Sequence, residues 1–260
     1  MAAEGAALVT GGARRLGRAM ALALAGRGLD VAIHYDRSGA EAEQTAAEAR
    51  ALGVRAATFQ ADLLDEDATR ALVPAVTAAL GPLTVLVNNA SIFENDTIET
   101  ATRTSWDRHI GSNLRAPFVL TQEFARQLPP DIPAQGPEPE ARGVIVNMID
   151  QRVLKPTPAF MTYSLAKAGL WALTRTSAQA LAPRIRVNAI GPGPTMQADR
   201  QCADHFARQR AATILERGAD APDIVAALLY LLDARAVTGQ LICVDGGQHL
   251  AWRTPDILGE

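Results

Sequence analysis

Ala6-Ala7-Leu8-Val9-Thr10-Gly11-Gly12-Ala13-Arg14-Arg15-Leu16-Gly17 is the stretch whose reading decides the fold. A short apolar strand runs into closely spaced glycines, and an Ala/Leu-rich segment with helical spacing follows over 15–27. Glycines at a strand-to-helix turn let the backbone approach a pyrophosphate, and the helix N-terminus stabilises its charge. The glycine spacing alone also fits an ordinary tight turn; its place after the first strand gives it weight. Arg14, Arg15 and Arg18 ahead of the apolar run 19–25 imitate a signal peptide. That run is short, Arg27 follows at once and a strand lies in front, so a buried first helix is expected.

Outward from this turn, the same alternation repeats. Strands are expected at 6–10, 30–34, 54–60, 83–88, 143–148, 185–189 and 240–244, and helices at 15–27, 40–52, 65–80, 106–128, 162–181 and 222–232. Strands apolar nearly throughout suit a sheet covered on both faces, and strands separated by helices argue parallel βαβ units. The expected fold is α/β: a Rossmann-type, doubly wound three-layer sandwich with a central parallel sheet of about seven strands. Residues 129–142, rich in Pro and Glu, read as a surface loop. Residues 191–218 open with Gly-Pro-Gly-Pro and turn polar and helical, which suits a flap over a ligand site.

Composition sets the bounds. The 260 residues, 48 % hydrophobic and 20 % charged, provide the core of one large domain spanning 1–260. A net charge of −3 argues against nucleic acid as a partner. The absence of a run of ~18 apolar residues argues against a transmembrane helix. Cys202 and Cys243 are unpaired in spacing, and are read as reduced core thiols of a cytoplasmic protein. His34, His109, His205 and His249 share no metal-ligand spacing, so no metal is expected.

Two further motifs carry chemistry. Asn88-Asn89-Ala90-Ser91 ends the fourth strand, at the edge where open α/β sheets bind ligands. Tyr163-Ser164-Leu165-Ala166-Lys167 puts a phenol and an ammonium on one helix face. Lys155 and Lys167 are the only lysines, so chance places a Tyr four residues before a Lys in about 2 % of such chains.

These motifs, in this order, resemble the short-chain dehydrogenase/reductase family over nearly the whole chain. The match includes Asp62-Leu63, Asn113, Arg186-Val187-Asn188, Pro192-Gly193 and Val244-Asp245-Gly246-Gly247. Two departures resemble its pteridine reductases: Arg15 stands where the family pattern has a glycine, and Asp150 where it has a catalytic serine. His34-Tyr35-Asp36-Arg37-Ser38 and the run Asn88–Phe93 look similar too. The resemblance implies catalytic Asp150, Tyr163, Lys167 and Asn113, with Asn113 organising a water behind Lys167. It implies cofactor contacts from Gly11, Arg15, Leu16, Gly17, His34, Tyr35, Arg37, Ser38, Asp62, Leu63, Asn89, Ala90, Ser91, Tyr163, Lys167, Pro192, Gly193 and Thr195. For substrate it implies Ser91, Phe93, Asp150, Tyr163 and Met196, with Phe93 stacking on a pterin.

The residue types fit that chemistry. Reducing a C=N needs a hydride at carbon and a proton at nitrogen. Tyr163 can donate the proton if a cation such as Lys167 eases its loss. Asp150 can resupply it if burial raises its carboxyl pKa; a plain strand-end cap is the bland alternative. NADPH is the expected cofactor, because Arg37 and Ser38 can bind a 2′-phosphate. Asp36 keeps NADH as the alternative, since an acidic residue near here binds a ribose 2′-OH. The expected activity is NADPH-dependent reduction of a dihydropterin or dihydrofolate-like substrate. The rivals are a generic short-chain reductase of a ketone, secondary alcohol or acyl-thioester, and a non-catalytic NADP-binding regulator. The family resemblance implies a homotetramer; Phe118, Phe124, Leu170, Trp171 and Leu173 are read as its apolar surplus, and Arg253 of the tail as a contact near a neighbouring site.

Overall fold

The computed structural model describes residues 5–128, 138–197, 201–254 and 257. Among the described residues seven strands form one sheet: β1 (Ala6–Val9), β2 (Asp30–Tyr35), β3 (Ala56–Gln60), β4 (Leu83–Asn88), β5 (Gly143–Met148), β6 (Ile185–Pro192) and β7 (Leu241–Val244). Their order is β3-β2-β1-β4-β5-β6-β7, and every pairing is parallel. Helices α1 (Arg15–Gly26), α2 (Gly39–Ala51), α3 (Glu66–Leu80), α4 (Arg103–Ile110), α5 (Ala116–Gln127), α6 (Met161–Leu181), α7 (Ala203–Ala211) and α8 (Ala221–Asp233) connect them. The strand order reverses between β1 and β4, which opens a crevice at their carboxyl ends.

The core has two halves because both faces of the sheet are apolar. On one face Met20 and Leu24 of α1 and Leu228 and Leu231 of α8 pack on Val9, Val31 and Val146. On the other, Leu72 and Val76 of α3 and Leu120 and Phe124 of α5 pack on Leu8, Leu86 and Ile145. The signal-like segment 19–25 is thus a core-facing part of α1.

Several expectations are corrected. The single helix expected over 106–128 is α4 and α5 joined by a π turn, Gly111–Arg115. The extra residue of that turn presents Asn113 inward, where its side chain bonds both backbone groups of Ile92 at 2.8 and 2.9 Å. Pro117 contributes as well, since it has no N–H to offer the carbonyl of Asn113 four residues back. Strand β6 runs on to Pro192, because Gly191 and Pro192 still pair with Cys243 and Val244. Phe124 and Leu170 are buried in the core and offer nothing to a partner; Phe118 is exposed, and Trp171 and Leu173 are half-buried. Cys202 is exposed at the start of α7 rather than in the core. Of the loop 129–142 only 138–142 are described, and of the flap 191–218 all but 198–200. Among the described residues no helix is long and apolar enough to cross a membrane.

Arg186-Val187-Asn188 fastens β6 to its neighbours. The buried Arg186 guanidinium donates to the carbonyls of Leu231 and Leu232, both at 2.7 Å, and of Val237 at 3.3 Å. These include the last turn of α8, whose carbonyls have no intrahelical partner. Arg186→Met strands them, so stability should fall by about 1–3 kcal/mol and the melting temperature by several degrees, read by calorimetry.

Candidate active site

A cavity of about 940 Å³ lies at the carboxyl ends of the strands. Its floor is the glycine turn. Gly11 has φ +61°, and a Cβ on Gly17 would lie 2.0 Å from the Gly11 carbonyl oxygen. Only glycine allows this approach of α1 to the strand end. Thr10 Oγ1 accepts the N–H groups of Asn89 and Ala90 at 2.9 and 3.0 Å, and Asn89 Nδ2 donates to the Thr10 carbonyl at 2.8 Å. The first and second motifs therefore brace each other. Among the described residues no side-chain bond from the N-cap Arg14 closes the N-terminus of α1, so its amides remain available to an anion.

Arg15 adopts φ +54°, the conformation its glycine counterpart would adopt freely. Its guanidinium donates to the backbone carbonyls of Met196 and Gln197 at 3.1 and 2.8 Å, clasping the flap across the crevice. His34 works behind the turn. Its Nδ1 accepts from the Gly11 N–H and its Nε2 donates to the Ala61 carbonyl, both at 3.1 Å. With both ring nitrogens engaged, His34 shapes the loop. At the end of β2, Arg37 is largely exposed and lies 3.3 Å from Asp36, and Ser38 precedes α2 without capping it. Tyr35, Asp62, Leu63, Leu16, Ser91, Pro192, Gly193, Thr195 and Met196 all line the cavity. Glycine is required at 193 too, where a Cβ would meet Asp245 at 2.6 Å. This crevice has the floor and the anion end that a dinucleotide needs.

At the other end, β5 and α6 bring the proton-carrying groups together. Tyr163 Oη donates to Asp150 Oδ2 at 2.9 Å. Asp150 Oδ1 accepts the Arg152 N–H at 2.9 Å, so the carboxyl also caps the short turn Gln151–Val153. Burial pushes the Asp150 carboxyl up, against the pull of the Arg152 N–H, the Arg152 charge, the Tyr163 hydroxyl and Lys167. Lys167 is buried one turn along α6; its Nζ donates to the Met148 carbonyl at 2.8 Å and lies 5.7 Å from the Tyr163 ring centroid. Burial pushes its ammonium down to about 8, with Asp150 opposing. The Asn113 side chain engages Ile92, so its amide fixes the loop that carries Phe93.

Sequence reasoning missed two pocket residues and one buttress. Phe160, at φ +57°, stacks on Phe93 with centroids 4.5 Å apart, and Phe93 also meets the Tyr163 ring at 4.6 Å. The Arg152 guanidinium lies over both rings, 4.6 Å from Phe160 and 5.6 Å from Phe93. Their position between the Asp150 strand end and the Tyr163 helix was the available signal. The buttress is a buried chain in which His109 Nδ1 bonds Thr162 Oγ1 at 2.7 Å and Thr162 bonds Asp96, pinning the residue next to Tyr163.

A glycine turn at the switch point of a parallel sheet, with a buried Tyr–Lys pair on the helix after β5, defines a short-chain dehydrogenase. The chain belongs to the short chain dehydrogenase family, whose model matches residues 5–205. It is similar to the crystal structure of FolM Alternative dihydrofolate reductase 1 from Brucella suis in complex with NADP. That likeness is 45 % identity over 98 % of this chain and 99 % of the other, with a TM-score of 0.91. It is also similar to a short chain dehydrogenase from Burkholderia cenocepacia in complex with NADP, at 34 % identity, 94 % and 97 % coverage and a TM-score of 0.83. A third relative is the 3-oxoacyl-[acyl-carrier-protein] reductase FabG of Staphylococcus aureus, 33 % identical over 94 % of this chain and 98 % of its own.

Lys167 carries a stability cost with a defined pH dependence. Below pH 8 it is charged in both folded and unfolded chains, and the fold bears the full penalty of burying it. As pH rises from about 8 to 10.5 the folded lysine loses its proton first and the penalty fades. Lys167→Met should therefore gain most in melting temperature over the parent near pH 7, and the gain should shrink toward pH 10, as thermal melts across pH will show.

Proposed function

We propose that the chain uses NADPH to reduce a pteridine of the dihydropterin or dihydrofolate type. The observation that carries this reading is the hydrogen bond from Tyr163 to a half-buried carboxyl, Asp150, whose ionisation is disfavoured. A carbonyl substrate needs a hydroxyl there to hold its oxygen; an imine nitrogen needs a proton, and a protonated carboxyl supplies one. The likeness to FolM from Brucella suis supports the same substrate class and the NADP cofactor. The glycine turn, the uncapped α1 amides and Arg37 with Ser38 suit the pyrophosphate and a 2′-phosphate.

In this mechanism NADPH supplies the hydride. Phe93, 36 % exposed and stacked on Phe160, gives the cavity an aromatic wall for a pteridine. Tyr163 gives its proton to the imine nitrogen as the hydride reaches the adjacent carbon, so C=N becomes CH–NH. Asp150 returns a proton to Tyr163, and the Lys167 cation stabilises the phenolate in the interval. Asn113 holds the Phe93 loop in place. Two cysteines without paired spacing suit work in the cytoplasm. Exposed Phe118, with Trp171 and Leu173, suits a homotetramer, which light scattering at micromolar concentration tests.

Tyr163→Phe should leave fold and NADPH binding intact and lower turnover by ~10²–10⁴, as expected for a lost general acid. Asp150→Asn should do the same to pteridine reduction. Asp150→Ser restores the hydroxyl of a carbonyl reductase; unchanged pteridine turnover in that variant would return the chain to the generic reading that the FabG likeness favours. Arg37→Ala should weaken NADPH by roughly 1.5–3 kcal/mol and NADH little, in fluorescence titrations.

A further inference from the structure

Resting on the pteridine reading, we propose that Arg152 is a specificity-determining residue: it reads an oxygen on the substituent borne by the carbon that receives the hydride. Arg152 is preorganised. Its guanidinium lies over the rings of Phe160 and Phe93, and its side chain is only 19 % exposed. It lines the cavity together with Phe93, Phe160 and Asp150. Yet, among the described residues, its Nη1 is buried without a hydrogen-bond partner. A buried donor on a charged group is rarely left without an acceptor.

Asp150 is not that acceptor. Its oxygens take the Arg152 backbone N–H and the Tyr163 hydroxyl, and the nearest approach of the guanidinium to it is 4.0 Å, through Nε. The acceptor comes from the ligand. With the proton delivered from Tyr163 to the imine nitrogen, the hydride-accepting carbon is bonded directly to that nitrogen. The first atoms of its substituent therefore fall at the Asp150 end of the cavity, beside Arg152. A hydroxyl accepts from an arginine; a methyl does not.

The test uses two dihydropterins that carry hydroxymethyl or methyl on the same ring carbon and so differ by one oxygen. The parent enzyme with NADPH should favour the hydroxymethyl compound in kcat/KM by about 10- to 100-fold, the range of one charge-assisted hydrogen bond. The corresponding oxidised pterins, titrated by their fluorescence into the NADP⁺-loaded enzyme, should show the same preference in Kd. Arg152→Met should bring both ratios to within about threefold of unity, and Arg152→Lys, which keeps a donor, should retain part of them. Equal handling of the two compounds by the parent enzyme, or a ratio that survives in Arg152→Met, overturns the assignment to Arg152 and leaves the pteridine reading standing. Failure of the parent enzyme to bind or reduce either compound overturns that reading and this assignment together.

Discussion

The close contact between Gly17 and the Gly11 carbonyl is the constraint on which the rest of the molecule depends. With no room for a Cβ, α1 must begin hard against the end of β1. That contact aims the helix N-terminus into the crevice and sets where Thr10 can receive the two amides from β4. The ends of β1 and β4 are thereby held as one unit across the switch point. His34 and Asn89 then extend the same fastening, one from β2 and one from β4, so the turn keeps its shape from three strands at once. The apolar sheet behind supplies the rigidity; the polar contacts supply the position.

At the opposite end the logic reverses, since the sheet must house groups that prefer water. Asp150 and Lys167 are both buried deeply enough that burial leads the shift in each, upward for the acid and downward for the base. Neither is left bare. The carboxyl takes a backbone amide and the Tyr163 hydroxyl, and the ammonium donates to the Met148 carbonyl. Burial disfavours the charged form of each, and both groups lie beside Tyr163, one bonded to its hydroxyl and the other near its ring. The Asp96–Thr162–His109 chain ties the N-terminal turn of α6 to the loop that carries Phe93, since Asp96 lies on that loop and His109 Nε2 accepts the Glu94 N–H, so the phenol and the Phe93 ring are positioned together.

The sheet was legible because its strands are short apolar runs set apart by helices, and all seven lie where that alternation puts them. Gly11, Tyr163 and Lys167 were legible because their spacing carries its own geometric meaning. The π turn was not, since one extra residue shifts an apolar period too little to register over 106–128. Phe124 and Leu170 were misread as surface because a count of apolar residues does not say which face they occupy. Arg152 and Phe160 left no periodic trace: their meeting depends on how the segment after β5 folds back, and on a left-handed residue at 160 that sequence patterns do not announce. His34 lines the cavity at the expected position, but its two bonds, to the Gly11 N–H and the Ala61 carbonyl, join residues far apart in sequence and left no pattern to read.

Arg15 holds the flap by the carbonyls of Met196 and Gln197, and by nothing of their side chains. Every residue has such a carbonyl. The clasp is therefore indifferent to what the flap displays toward the cavity, and the wall at Met196 can be recut by mutation while the hinge-side grip persists. An arginine at this place separates the anchoring of the flap from the surface the flap turns toward the cavity, so single substitutions can reshape that surface and leave the glycine turn untouched.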